Sequence, residues 1–214
     1  MQNKEFLDEK IVEMINQSES VMIQSESEAL QELVQPQEIE QSIYTGIKIQ
    51  GQWIEFEERL FVDDKITMMV PLEFENMDVE EAKQKYPMEQ RPETILTDST
   101  GTINILLRYM GDPISNEDTE MIRDELLTIM CRMNPGIKTQ STDVKVVSGK
   151  NIAYVEFTNP VMDGKLYNLM YFLEVEGKTL MGSFNCSAKS AKHWKSSAYE
   201  MMQSIRLADE ASEV

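Results

Sequence analysis

The sequence predicts an α+β fold: an antiparallel β-sheet flanked by amphipathic helices, with an N-terminal helical extension. Three observations carry this. Residues 165–175 run as an apolar strand, turn at Glu176-Gly177-Lys178 and continue through residues 179–186, which reads as a long hairpin. Shorter upstream stretches alternate apolar and polar residues with the same period of two. Two further segments, after Ser115 and after Ala191, instead repeat apolar residues at helical spacing.

Composition sets the frame for these elements. The 214 residues are 41% hydrophobic and 27% charged, enough for one folded domain with a sizeable core. The expected organisation is an acidic, partly helical extension over residues 1–41, a single α+β domain over 42–207 and an acidic tail over 208–214. With 38 acidic against 20 basic side chains, the net charge of −18 repels phosphate backbones and argues against a nucleic-acid partner. The same charge steers a protein towards basic partners. Residues 1–10 lack the apolar run of a signal peptide. The longest unbroken apolar run, residues 169–173, falls far short of the ~20 residues a membrane span needs, so no direct membrane insertion is expected. Two cysteines, Cys131 and Cys186, fit a reducing compartment, and the expected location is cytoplasmic.

The extension comes first. Leu7, Ile11, Met14 and Ile15 share one helical face, and Ala29, Leu30, Leu33 and Val34 form a second short stripe before Pro36 ends the pattern. This spacing fits both a solvated extension and a helix that docks on the body or on a partner, and Leu7, Ile11, Met14 and Ile15 are the candidate partner-binding residues.

Residues 53–62 read as a strand with Ile54, Phe56, Leu60 and Val62 on one face. Asp63-Asp64-Lys65 makes the turn, and Ile66, Met68 and Val70 continue until Pro71 closes the strand. Asp78, followed by Glu81, caps a short helix through Lys85 that ends at Pro87. Residues 86–92, with two prolines, form a rigid loop. Residues 95–97 and the alternating Ile103, Ile105, Leu107 and Tyr109 make a hairpin about Ser99-Thr100-Gly101 with one buried face. Ser115 and Asp118 start a helix whose stripe of Ile122, Leu126, Ile129, Met130 and Met133 faces the core until Pro135-Gly136 stops it. Val144, Val146, Ile152 and Tyr154 mark a strand pair, and Asn159-Pro160 and Asp163-Gly164 read as turns. In the final hairpin Tyr167, Leu169, Tyr171, Leu173 and Val175 share one face and Met170 and Phe172 the other, which predicts a central strand. Ala191, Trp194, Ala198, Met201, Met202 and Ile205 then form an amphipathic helix over the sheet.

Chemistry-bearing motifs are few. His193 is the single histidine, which rules out two-histidine zinc motifs, and the cysteines lie 55 positions apart. Glycine loops of the phosphate-cradling or dinucleotide type are absent, so no cofactor and no metal are expected. Cys186 and His193 could form a thiolate–imidazole pair, yet Cys186 ends an apolar strand and reads as structural. Asp63, Asp64 and Asp112 read as turn-solvating carboxylates rather than an acid–base pair or calcium loop. Lys189, Lys192, His193 and Lys195 make one local basic cluster, which fits a solvated helix face and equally a receptor for an acidic partner or a phosphate. Most of the sixteen methionines occupy core-patterned positions.

The order of elements, with residues 86–92 (Tyr-Pro-Met-Glu-Gln-Arg-Pro), 166–170 (Leu-Tyr-Asn-Leu-Met) and 182–186 (Gly-Ser-Phe-Asn-Cys) ahead of Trp194 and Ser204-Ile205, resembles the DcrB/PsbP-like family, in a bacterial branch. The resemblance covers roughly residues 52–207. It implies an antiparallel sheet flanked by helices and a non-enzymatic binding role, since members act as photosystem assembly factors, a Ran-binding protein and chaperones of secreted toxins. The expected function is therefore a protein-binding adaptor or chaperone, its partner another protein, for example a secreted protein or toxin. An acidic immunity-type inhibitor of a basic toxin is the second reading, and a small enzyme with an unrecognised site the third.

Overall fold

A computed structural model describes residues 41–208 other than Met88 and Gln90. The Leu7, Ile11, Met14 and Ile15 stripe lies outside the described residues.

In chain order the strands are β1 (Ile47–Ile49), β2 (Gln52–Ile54), β3 (Phe56–Phe61), β4 (Ile66–Pro71), β5 (Glu75–Asn76), β6 (Thr94–Thr97) and β7 (Asn104–Pro113). They continue as β8 (Lys138–Val147), β9 (Lys150–Val161), β10 (Gly164–Val175), β11 (Lys178–Ser187) and β12 (Arg206–Leu207). The helices are α1 (Val79–Lys85), α2 (Thr119–Met133) and α3 (Ala191–Gln203). Seven strands pair in the order β5-β6-β7-β11-β10-β9-β8, three in the order β12-β4-β3, and β1 with β2. Every one of these pairings is antiparallel.

Local chemistry explains the connections. Gln50-Gly51, Ser148-Gly149 and Glu176-Gly177 all take positive φ at both positions, the two-residue turn whose twist matches that of the strands it joins. Asp78 caps α1 by accepting from the Glu80 N–H at 2.8 Å and the Glu81 N–H at 3.3 Å, and the helix stops one residue short of Pro87.

Strand parity then assigns the faces. Leu107, Leu169, Tyr171, Leu173, Leu180 and Phe184 point to one side of the large sheet, where they pack with Trp194, Ala198, Met201 and Met202 of α3 and with Ile66, Met68 and Val70 of the small sheet. On the other side Ile95 and Leu106 pack with Met77 and Ala82 beneath α1, and α2 lies against β9 and β10. Both faces of β10 and β11 are covered, and the two strands stand at the middle of the sheet, as the doubly apolar sequence of β10 predicts for that strand.

Four local expectations change. Leu60 is 53% exposed and Phe61 is buried, because Phe61 pairs with Ile66 on the core-facing side of β4 whereas Leu60 pairs with Thr67 on the other side. The hairpin of β6 and β7 buries both faces, since α1 covers Leu106. On α2, Ile129 and Met133 are exposed while Thr119 and Arg123 are buried, because the helix lies near the β8 edge, where a single further strand continues the sheet. Asn159 and Pro160 belong to β9 instead of forming a turn. Proline is tolerated there because β8 pairing ends at Thr158, so the missing N–H falls beyond the ladder.

A polar row crosses the α1 side of the sheet. Thr97, Asn104, Asn185 and Asn168 are register partners on four adjacent strands. Thr97 Oγ1 donates to Asn104 Oδ1 at 2.9 Å, Asn104 Nδ2 to Asn185 Oδ1 at 2.9 Å, and Asn168 Nδ2 to Asn159 Oδ1 at 2.7 Å. Lys85 Nζ of α1 adds a bond to Asn104 Oδ1 at 3.1 Å. A slip of any strand would bury these amides without partners, at a cost of about 1–3 kcal/mol each, so the row fixes the register.

Candidate functional site: a cleft with an aromatic floor

Four segments remote in sequence meet around a cleft of about 300 Å3: the β1–β2 hairpin, the chain following β4, the β6–β7 turn and the start of α3. Its floor is aromatic. Phe74 and Trp194 are each 4% exposed, with ring centroids 5.8 Å apart, and Phe184 stacks on Trp194 from within the core at 6.1 Å. Trp194 is placed by the buried stripe of α3. Phe74 is held by Arg59, whose guanidinium donates to the carbonyls of Phe74 at 2.6 Å and Leu72 at 2.8 Å while pairing with Glu57.

The walls are polar. Asp98 organises the β6–β7 turn: its Oδ1 accepts from the N–H groups of Thr102 and Ile103, both at 2.8 Å, and its Oδ2 from Thr100. Glu73, Gln50 and Gln52 stand exposed on the rim. Adjoining them in the chain, Leu72 is 45% and Trp53 49% exposed. The Trp53 indole covers Gly46, where a Cβ would collide with the ring. Trp53 faces away from the cleft, since its strand neighbours Gln52 and Ile54 are the residues that line it, and the carboxylates of Glu73 and Asp98 favour basic neighbours on whatever enters.

A second, smaller cavity of about 150 Å3 opens on the opposite side of the α3 N-terminus. Glu156, only 2% exposed, lies in it. Its Oε1 accepts from Lys195 Nζ at 2.6 Å, and its Oε2 from Tyr199 Oη at 2.9 Å and Ser141 Oγ at 3.2 Å. Tyr167 also lines this cavity, and its hydroxyl is buried without a hydrogen-bond partner. Burial, and next the Glu156 charge, push the Tyr167 hydroxyl far above the usual phenol range, and burial does the same to Tyr199.

The other sequence candidates are scattered. Cys186 is buried in β11, where burial pushes its thiol up to about 12, whereas His193 is exposed on α3. Cys131 is half-buried, and neither cysteine is in a disulfide. Asp63 and Asp64 occupy left-handed positions in the β3–β4 turn, and Asp112 falls within β7. No group of three or more His, Cys, Asp or Glu side chains with metal-site geometry occurs among the described residues. Lys192 and Lys195 of the basic cluster do meet at the second cavity. Sequence reasoning missed Glu156 and Tyr167 as site residues; the available signal was a carboxylate inside the apolar run 152–157. It also missed Phe74, for which the sequence carries no signal.

Sheet order, covering helices and cleft together define an α+β protein of the PsbP-like fold. No protein-family model and no curated protein sequence matches the chain. Among solved structures, cyanobacterial PsbP (CyanoP) from Synechocystis sp. PCC 6803 is similar at 12% identity, covering 79% of this chain and 98% of that one with a TM-score of 0.54. LpqN, involved in cell envelope biogenesis of Mycobacterium tuberculosis, matches at 11% identity over 74% of this chain and 94% of its own, with a TM-score of 0.48. The apo immunity protein TplEi of the Pseudomonas aeruginosa T6SS matches at 10% identity over 85% and 83%, with a TM-score of 0.39. At these identities the likeness is one of fold.

Proposed function

We propose that this chain is a non-enzymatic protein-binding adaptor or chaperone of the DcrB/PsbP-like family, working in the cytoplasm, and that the aromatic-floored cleft receives an apolar side chain of a partner segment that also carries basic residues. The observation that supports it is a concave Phe74–Trp194 floor, flanked by Ile49, Ile54 and Ile103, beneath the exposed carboxylate of Glu73. Charge complementarity sets the partner chemistry, because the chain carries −18 and the cleft rim is acidic. A secreted protein or toxin held before delivery fits this chemistry.

The test compares pull-downs by the full chain, Ile54→Ala and Glu73→Lys, each at low and high salt. Proteins captured by the wild type and lost by Ile54→Ala, which alters the cleft lining, support the reading, and retention at high salt marks an apolar-dominated chaperone contact. The acidity favours a second reading, an inhibitor of a basic toxin, marked by capture that Glu73→Lys and added salt abolish together. Identical capture by all three proteins removes the cleft from both readings.

A further inference from the structure

The three lysines around the start of α3 stand at the wrong end of a helix dipole. Lys189, Lys192 and Lys195 surround an N-terminus whose first turn has no acidic residue and whose N-cap, Ser190, makes no capping bond from its side chain. Cations there are unfavourable unless an anion sits among them. Such a place exists beside them. Ala191, Lys192 and Lys195 line the 150 Å3 cavity, which also holds the unpartnered, 2% exposed Tyr167. Gln140 lines it too, as the extra residue of a bulge between Thr139 and Ser141, a device that re-aims a side chain out of the ladder.

The one carboxylate in the cavity is already neutralised. Glu156 has Lys195 on one oxygen and Tyr199 and Ser141 on the other, which leaves Lys192 as a further cation and the Tyr167 O–H as an unused donor. The volume corresponds to about five waters at ~30 Å3 each, room for one carboxylate or phosphate group with accompanying water.

We propose that this cavity is an oxyanion site, binding one phosphate or carboxylate group between the first turn of α3, Lys192 and the Tyr167 hydroxyl. The proposal stands independently of the aromatic cleft, which lies on the other side of the same helix terminus. The anion comes either from free solute or from an acidic group of a partner chain.

Calorimetric titration of the full-length chain at constant ionic strength, with chloride as balancing ion, tests it with two probes. One is inorganic phosphate. The other is a short peptide ending in a free carboxylate, set against its C-terminal amide. Saturable one-to-one binding of phosphate, weakened about tenfold or more by Lys192→Glu and also weakened by Tyr167→Phe, is the expected result, since each variant removes a group that would contact the anion. Preference for the free-acid peptide over both its amide and phosphate assigns the site to a partner's carboxylate. Absence of saturable binding by either probe overturns the proposal, as does equal affinity in Lys192→Glu. Lys192 is exposed, so that variant keeps its fold and the test remains decisive even where Tyr167→Phe perturbs the sheet.

Discussion

Replacing Gly182 by alanine tests the packing that holds the two covered faces of the sheet together. Gly182 on β11 stands opposite Tyr171 on β10, and the phenol ring lies over it so closely that an alanine Cβ would clash with ring carbons Cε2 and Cζ. The ring cannot simply lift away. Tyr171 is 2% exposed, and its hydroxyl reaches Met68 Sδ of the small sheet at 3.5 Å. The backbone cannot retreat either, because β11 is hydrogen-bonded to β10 on one side and β7 on the other. Overpacking of a filled core costs about 1–3 kcal/mol, and an overlap with two ring carbons puts this site at the upper end. Removing a glycine from a strand returns about 0.5–1 kcal/mol. The net loss is about 2 kcal/mol, or roughly 4–8 °C in Tm for a domain of this size. Urea unfolding followed by tryptophan fluorescence reads it directly, since Trp194 is buried beside Phe184. In a Tyr171→Ala background the same substitution should cost nothing or stabilise slightly, giving a coupling of about 2 kcal/mol. A Gly182→Ala protein within about 0.5 kcal/mol of wild type, or an equal cost in both backgrounds, refutes the close approach.

Tyr167→Phe in phosphate-free buffer should raise stability by about 1 kcal/mol in urea unfolding, because it deletes a buried hydroxyl that has no partner; a loss of stability would show that the hydroxyl is bonded. Although burial works against it, Glu174 is held below the usual carboxylate range by Lys150 at 2.5 Å and the Gly177 N–H at 2.5 Å. A depressed carboxylate adds stability that is present above the unfolded-state value of about 4.3 and is lost as pH falls below it, so Glu174→Gln should flatten the acid limb of the stability–pH curve and leave an unchanged limb only if the pairing is absent. Tyr167, Tyr171 and Tyr199 are all raised by burial, so their contribution is complete below about pH 10 and lost as pH rises beyond it. The share of tyrosinate absorbance due to these three should therefore appear together with loss of circular dichroism on alkaline titration, and ionisation of all seven tyrosines ahead of unfolding would contradict their burial.

Much of this architecture is written locally. Glu176-Gly177 and Ser148-Gly149 specify their hairpins because a residue pair with positive φ admits few sequences, and the stripe from Trp194 to Met202 specifies α3 because one helical face must meet the core. Leu60 and Ile129 are exposed for a shared reason: alternation and helical spacing identify an apolar face but not which neighbouring element covers it. Pro160 sits inside β9 because whether a strand tolerates proline depends on where its neighbour ends.

The candidate sites lie beyond local pattern altogether. Phe74, Asp98 and Trp194 converge from three elements, and Glu156 meets Lys195 and Tyr199 only because β9 passes beneath α3. By itself the sequence determined the fold class, the long central hairpin, the covering helices and the acidic character, since these follow from backbone angles, side-chain periodicity and charge count. Only the tertiary structure decided which face of each element is covered, which polar groups share a row and where clefts open, because these depend on strand order and register, and contacts between distant segments leave no spacing along the chain.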